Sequence, residues 1–240
     1  MQTMKLYPPF KPCEPEIIGR FKSMSTTVIS DSMERINGLQ GIKPIAMTPY
    51  QFEQPMVGQA FTVQTAPGDN LAMHQAMELI EAGHVLAVAA GGGVERAITG
   101  EIMVQYAERL GVAGLVVDGA VRDSDTLRQG SFPVFAAGVI HLGPYKNGPG
   151  SIRGTVSMGG VIVRPGDLLV GDADGVAVVP LDQAAAILER SEAKEADEQE
   201  TMRSIPIGEY QTAWLEDLVT LEQVAPNADN SHPMSTVSDS

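Results

Sequence analysis

From residue 57 onward, apolar and polar positions fall into short alternating runs. GQAFTVQTA, starting at Gly58, is rich in β-formers and predicts a strand. Pro67-Gly68-Asp69 then opens a helix with apolar positions at Leu71, Met73, Met77 and Ile80. HVLAVAA, from His84 to Ala90, reads as a buried strand, with Gly91 to Gly93 as its turn. A second helix is predicted roughly from Ala97 to Leu110, followed by a buried strand, VAGLVVD, that stops at Asp118. Asp123 to Gln129 predicts a short helix and FPVFAAG a further strand. Strands alternating with helices at this spacing imply βαβ units and a largely parallel sheet, an α/β fold.

The flanks have a different texture. Pro8, Pro9, Pro12 and Pro15 make residues 1–15 an extended arm. Ile17 to Leu39 has helical spacing in part, with Ser30-Asp31 as a cap before Met33 and Ile36. A stretch marked by Pro44, Pro49 and Pro55 follows. After Gly143 a loop, GPYKNGPGSIRG, leads into closely spaced β-runs broken by Pro-Gly-Asp and Asp-Ala-Asp-Gly, the mark of antiparallel hairpins. Leu181 to Arg203 predicts a long charged helix that closes a single domain over residues 16–210. Residues 225–240 lack an apolar pattern and are expected to be disordered.

Composition narrows the function classes. With 240 residues, 43% hydrophobic and 19% charged, the chain can bury a sizeable core. A net charge of −14 argues against a nucleic-acid partner, since phosphate binding needs clustered Lys and Arg. The single cysteine, Cys13, excludes an internal disulfide and a Cys-based zinc site. MQTMKLYPPF is too short and proline-broken for a signal peptide, and the longest apolar runs are strand-sized. A cytoplasmic protein without a membrane partner is therefore expected.

Most motif-like features have simpler explanations. AGGGVERAITG fits no dinucleotide or P-loop pattern, although its turn could bring backbone N–H groups toward a small anion. GDADG, Gly171 to Gly175, lacks the further acids of a calcium loop and reads as a hairpin turn. The histidines at 74, 84, 141 and 232 show no zinc spacing, though His74 follows Gly68-Asp69-Asn70 on a helix that could face a site. There is no G-x-S-x-G, and Lys146 is the only lysine between residues 60 and 180, which disfavours imine chemistry.

GLVVDGAVRDSD, from Gly114 to Asp125, is different, because it gathers charge where a strand end meets a helix start. A surface salt bridge and a helix cap would account for Arg122, Asp123 and Asp125. They do not account for a strand that ends on Asp118 shortly before the arginine. Asp123 has the hard oxygen that Mg²⁺ takes together with water and substrate. Arg122 has a planar fork suited to a carboxylate or carbonyl oxygen. Upstream, Glu101 lies at a helix start with twenty residues between it and Arg122.

An acid, twenty residues and then Arg-Asp resembles the signature of the pyruvate aldolases acting on 4-hydroxy-4-methyl-2-oxoglutarate and 4-carboxy-4-hydroxy-2-oxoadipate. These share a wider family with the regulator of ribonuclease E activity. PGDNL, VVDGAVRD, FPVF, RPGDLLVGDADGVAVVP and the acidic helix carrying Glu195, Glu198 and Glu200 support the resemblance, which spans about residues 25 to 210. It implies a central β-layer flanked by helices, a β/β/α sandwich like the swivelling phosphohistidine domain. It also implies a homotrimer, often paired into a hexamer. By the same resemblance, Asp123 is the ligand of Mg²⁺ or Mn²⁺ and Glu101 holds a metal-bound water. Arg122, Asn70 and the backbone of Gly100, Glu101, Ile102 and Met103 bind the substrate, and Glu198 reaches a neighbour's site. Glu101 stands where these aldolases have Asp, and its extra methylene would move the water by about an ångström.

The implied reaction is retro-aldol cleavage of a 4-hydroxy-2-oxo di- or tricarboxylic acid to pyruvate, with oxaloacetate decarboxylation as a side activity. Two alternatives compete with it. One is a non-catalytic ring that regulates a ribonuclease or helicase through its acidic surface. The other is a related lyase acting on a sugar-derived oxo acid.

Overall fold

The structure, a computed structural model, describes residues 3–45 and 54–222. The chain begins with β1 (Lys5–Leu6), α1 (Pro15–Phe21), α2 (Thr26–Ser32) and β2 (Lys43–Pro44). Next come β3 (Met56–Thr65), α3 (Leu71–Met77), β4 (Val85–Ala89), β5 (Ala97–Thr99), α4 (Glu101–Arg109), β6 (Gly114–Val121), α5 (Ser124–Gln129) and β7 (Val134–Val139). The remainder is β8 (Gly150–Ile152), β9 (Val156–Met158), β10 (Val161–Val163), β11 (Leu168–Gly171), β12 (Val176–Val179) and α6 (Ala184–Ser204).

The centre is the expected parallel sheet, ordered β3-β4-β6-β7, with β5 added beside β6. β4 is apolar on both faces because both faces are covered. Leu86 and Val88 pack with Met73, Met77, Met103 and Val104 of the helices α3 and α4. Val85, Ala87 and Ala89 face the other way, toward Val156, Met158 and Val163 of the β9–β10 hairpin. Mixed α/β layering follows, with helices on one face and hairpins on the other.

β3 links this sheet to the antiparallel part. Its second half pairs with β4, from Ala60 opposite Val85 to Gln64 opposite Ala89. Its first half pairs with β11, from Met56 opposite Gly171 to Gln59 opposite Leu168. A third core of Phe21, Ile29, Val57, Leu168, Val179, Ile187 and Leu188 joins α1, α2 and α6 to this second sheet region. Near the N-terminus, Lys5 and Leu6 pair in parallel with Ser151 and Ile152. Gln59 holds the residues that follow, donating to Lys11 O at 3.0 Å and accepting from Cys13 N at 2.8 Å.

Three local expectations need correction. Ala97 to Thr99 do not begin the second helix but form β5, because their buried side chains pair alongside β6. Nor does the strand stop at Asp118. β6 runs on to Val121 through an irregularity between Val117 and Ala120, and the Asp118 carbonyl accepts N–H groups of Ala90 and Gly92. These bonds also engage the glycine turn internally, which removes two of the amides offered for an anion. The Asp118 carboxyl is buried, which raises its pKa against the opposing N–H groups of Gly159 and Gly92. Finally, Ser30-Asp31 lie inside α2, whose cap is Ser25, accepting from Val28 N at 3.3 Å.

Among the described residues, Gln199 to Glu222 belong to a second compact unit. Its described part ends at Glu222 and contains short turns at Ile205–Ile207 and Ala213–Leu215. Pro49 and residues 225–240, expected to be disordered, lie outside the described residues. Among the described residues no helix is long and apolar enough to cross a membrane.

GDADG is the β11–β12 turn, and it has a second task. The Asp172 carboxylate accepts from Thr26 N at 2.8 Å and Thr26 Oγ1 at 2.7 Å, capping α2 across 146 positions of sequence. It also accepts from Asp174 N at 2.9 Å, which closes its own turn. Asp172→Ala leaves a helix-end amide and a buried hydroxyl unpaired, so it should cost about 1–3 kcal/mol of stability in urea denaturation. An unchanged midpoint would show that water replaces the carboxylate.

Candidate active site

β6 delivers Arg122 and Asp123 to the start of α4. The Arg122 N–H donates to Thr99 O at 3.0 Å, locking the end of β6 to β5. Asp123 then adopts a left-handed backbone, φ 58° and ψ 36°, which Asp tolerates better than most residues. This turn sends its carboxylate back toward α4, where Oδ2 accepts from Glu101 N at 3.1 Å. The same oxygen lies 3.6 Å from Arg122 Nε, an ion pair without a hydrogen bond.

Two glycines make room for these charges. A Cβ at Gly100 would overlap the Asp123 carboxylate and stand 2.7 Å from Arg122 Cγ. A Cβ at Gly143 would stand 2.8 Å from Arg122 Nη1. Gly100 is also the residue before α4, so the helix presents its first amides here, where no intrahelical acceptor exists.

The hollow in front of them measures about 120 Å³ and is lined by Asn70, Thr99, Gly100, Ile102, Met103 and Arg122, among others. Three buried polar atoms along it have no partner: Asn70 Oδ1, Thr99 Oγ1 and Arg122 Nε. Asn70 does not cap α3; its Nδ2 donates to Ile98 O at 2.9 Å, which fixes the amide across to β5. Buried polar groups left unpaired are costly, so an acceptor and a donor on one hollow point to a polar occupant.

The loop after Gly143 forms another side of the hollow with Pro144 and Lys146. Asp69 is its anchor. One carboxylate oxygen accepts from Leu71 N at 2.9 Å, and the other accepts from Asn147 N at 2.7 Å and Gly148 N at 2.8 Å. Burial works to raise the Asp69 pKa, but these three N–H donors prevail and hold it below the ordinary carboxylate value. Arg96 secures the other side, donating to Gly143 O at 2.7 Å and stacking 4.2 Å from the Tyr145 ring centre. His74 and Lys146 also border a larger groove of about 880 Å³, so the two hollows adjoin. Partial desolvation and the Lys146 charge lower the His74 pKa, which leaves the imidazole neutral near pH 7.

The structure thus brings together Asn70, Gly100, Ile102, Met103, Arg122 and Asp123. Glu101 takes part through its amide, while Gln105 Nε2 donates to its carboxylate at 3.0 Å. Asp118 does not line the hollow. Glu198 is on α6, paired with Lys194 at 3.1 Å, and does not line it either. Thr99 and Lys146 are additions to the residues singled out above. Lys146 had one signal, its isolation as the sole lysine of the central 120 residues. Among the described residues, no group of three or more His, Cys, Asp or Glu could hold a metal ion by itself.

Comparison with known proteins finds relatives over most of the chain. A family profile described as RraA-like, Aldolase/RraA, matches residues 26–178, which include every residue of the hollow. A Halalkalibacterium halodurans protein provisionally named 4-hydroxy-4-methyl-2-oxoglutarate aldolase is 40% identical over 192 residues, covering 80% of this chain and 90% of that one. Among solved structures, an uncharacterized protein from Pseudomonas syringae pv. tomato superposes with TM-score 0.72 at 26% identity, over 88% of this chain and all of that one. RraAS2 of Streptomyces coelicolor, described as an unusual member of the RNase ES inhibitor RraA protein family, gives 0.71 at 27% identity, over 80% of this chain and all of that one. The chain belongs to the RraA-like, Aldolase/RraA, family.

Proposed function

We propose that this protein is a divalent-metal-dependent pyruvate aldolase, cleaving 4-hydroxy-2-oxo di- or tricarboxylic acids and decarboxylating oxaloacetate at the same site. The observation that supports this most is the Arg122 cation, its Nε buried and unpartnered, next to an exposed carboxylate at a helix start. Regulation by binding alone gives no reason for a buried arginine Nε without a hydrogen bond on a hollow.

The donor set fits Mg²⁺ or Mn²⁺. Asp123 offers a hard oxygen, Gly100 keeps the space beside it clear, and water with substrate oxygens would complete the shell. Bound there, the cation supplies a Lewis acid beside the 2-oxo group. The protein's own groups do the rest. Arg122 receives the 2-oxo oxygen and stabilises its charge as the C3–C4 bond breaks and the enolate of pyruvate develops. The first amides of α4, at Ile102 and Met103, orient the C1 carboxylate. Glu101 holds the water that takes the 4-hydroxyl proton and then returns a proton to C3 of the enolate, giving pyruvate. Lys146 and neutral His74, at the junction with the larger groove, receive the distal carboxylate. A homotrimer, paired or unpaired, would bring Glu198 of a second copy to the site.

Pyruvate release, coupled to lactate dehydrogenase, tests these roles with oxaloacetate and 4-hydroxy-4-methyl-2-oxoglutarate. EDTA should abolish turnover and excess Mg²⁺ restore it. Arg122→Ala and Asp123→Ala should each lower kcat by about a thousandfold or more with the oligomer intact; near-normal rates in either would refute the assignment. Gly100→Ala should cost about a hundredfold through displacement of Arg122 and Asp123. Lys146→Ala should raise KM for the aldol substrate about tenfold, and an equal effect on oxaloacetate would place Lys146 elsewhere in the reaction.

A further inference from the structure

A second hollow lies at the other end of the parallel strands. His84 immediately precedes β4, whereas Arg122 follows β6, so the two sites lie at opposite ends of the parallel strands. This cavity measures about 210 Å³, and its wall includes Phe10, Gln59, Phe61, Glu81, His84 and Arg153. Pro9 and Pro12 of the N-terminal residues complete it on one side.

Two of its polar atoms are buried and unpartnered, His84 Nδ1 and Arg153 Nε. Among the described residues no carboxylate forms an ion pair with Arg153. That is unexpected in a chain with 30 acidic and 16 basic side chains. The backbone at Arg153 is also left-handed, φ 62°, a conformation that a bulky residue rarely adopts. It is pinned there from both sides. Arg153 N donates to Thr62 O at 2.7 Å, and Thr62 Oγ1 donates to Gly154 O at 2.7 Å. The fold therefore holds a cation, in a strained backbone, against a cavity whose one acid, Glu81, forms no ion pair with it.

The rest of the wall suits a small, flat or compact anion. The Phe10 ring meets the His84 ring edge-on at 5.2 Å, and Phe61 lies at 6.2 Å from it, so apolar faces surround the polar edge. Burial lowers the His84 pKa, outweighing the Glu81 charge and a contact with the Glu81 backbone that is too poorly aligned to count as a hydrogen bond of Nδ1, so the neutral imidazole can place its single proton on Nδ1. Water can fill the volume and accept from Nε–H, but it brings no charge to pair with the guanidinium.

We propose that this cavity binds a small oxyanion of the carboxylate or phosphate class, held between Arg153 Nε–H and His84 Nδ1–H under residues 9–12. The bound anion ties the N-terminal residues to the edge of the sheet. The site uses no group of the Arg122 hollow and stands independently of the aldolase reading.

Arg122→Ala serves as the parent protein for the test, which removes the principal anion-binding group of the first site. Sodium phosphate and sodium pyruvate are titrated separately, up to tens of millimolar, against sodium chloride at matched ionic strength. The readouts are the thermal midpoint and amide hydrogen exchange of residues 7–13. A saturable rise in midpoint with slower exchange in that segment is expected. Phosphate acting alone, or pyruvate acting alone, decides which source the site prefers. Adding Arg153→Gly gives a chain that accepts φ 62° without strain, so it should fold with an equal or higher midpoint while its apparent anion affinity falls by about tenfold or more. Adding His84→Gln instead should weaken binding by a smaller factor. An Arg153→Gly protein that responds to the anions as fully as its parent would overturn the proposal. So would a parent that responds to neither, which would leave a cavity filled by water.

Discussion

Where β6 ends against the start of α4, Asp123 Oδ2, Arg122 Cγ and Arg122 Nε crowd the volume that one methyl group would fill. Gly100 leaves that volume empty, and the left-handed turn at Asp123 aims a carboxylate into it. Each feature requires the other. With a side chain at residue 100 the carboxylate could not reach the Glu101 amide, and without the turn α5 would start in a different direction. The parallel sheet is the frame that makes this meeting possible, because β5 and β6 run side by side and deliver their ends to one place.

Charge placement adds a second layer. The chain carries a net charge of −14, yet Arg122 and Lys146 both border the small hollow. Fields from clustered cations inside low-dielectric walls are felt more strongly than the same charges in water. Lys146 reaches that position on a loop without regular structure, so its place depends on anchors at each end. Asp69 and Arg96 supply them, and neither needs to touch a substrate to matter.

Much of the sheet was legible in the sequence because its strands are fully buried and read as continuous apolar runs, as in VLAVA and FPVFAA. The Arg-Asp step was legible because charged residues at a strand end have few structural uses. The reading failed where tertiary pairing overrode local pattern. Ala97 to Thr99 look helical beside the apolar residues of α4, but β6 runs past the end of β4 and its last residues recruit them as a strand. Asp118 looked like a stop because its side chain is an acid, whereas a ladder continues through main-chain groups whatever the side chain. Ser25 was overlooked as a cap in favour of Ser30-Asp31, since both fit the local rule and only packing of α2 on β12 separates them. Thr99 and Lys146 carry no spacing motif. Their relevance arises from a loop and a strand end that meet only in three dimensions.

The double pairing of β3 bears on how the chain is made. Met56 to Gln59 find their partner in Leu168 to Gly171, more than a hundred residues later. During synthesis, a growing chain can assemble β3 with β4, β6 and β7 while the leading half of β3 remains an open edge. Helices α1 and α2 face the same delay, since the Asp172 carboxylate that caps α2 emerges with the same hairpin. Open edges invite pairing with other chains. The interval between the ribosome's completion of β7 and of β12 is therefore the period of greatest exposure to misassembly, and chaperone occupancy on the nascent chain should be concentrated there.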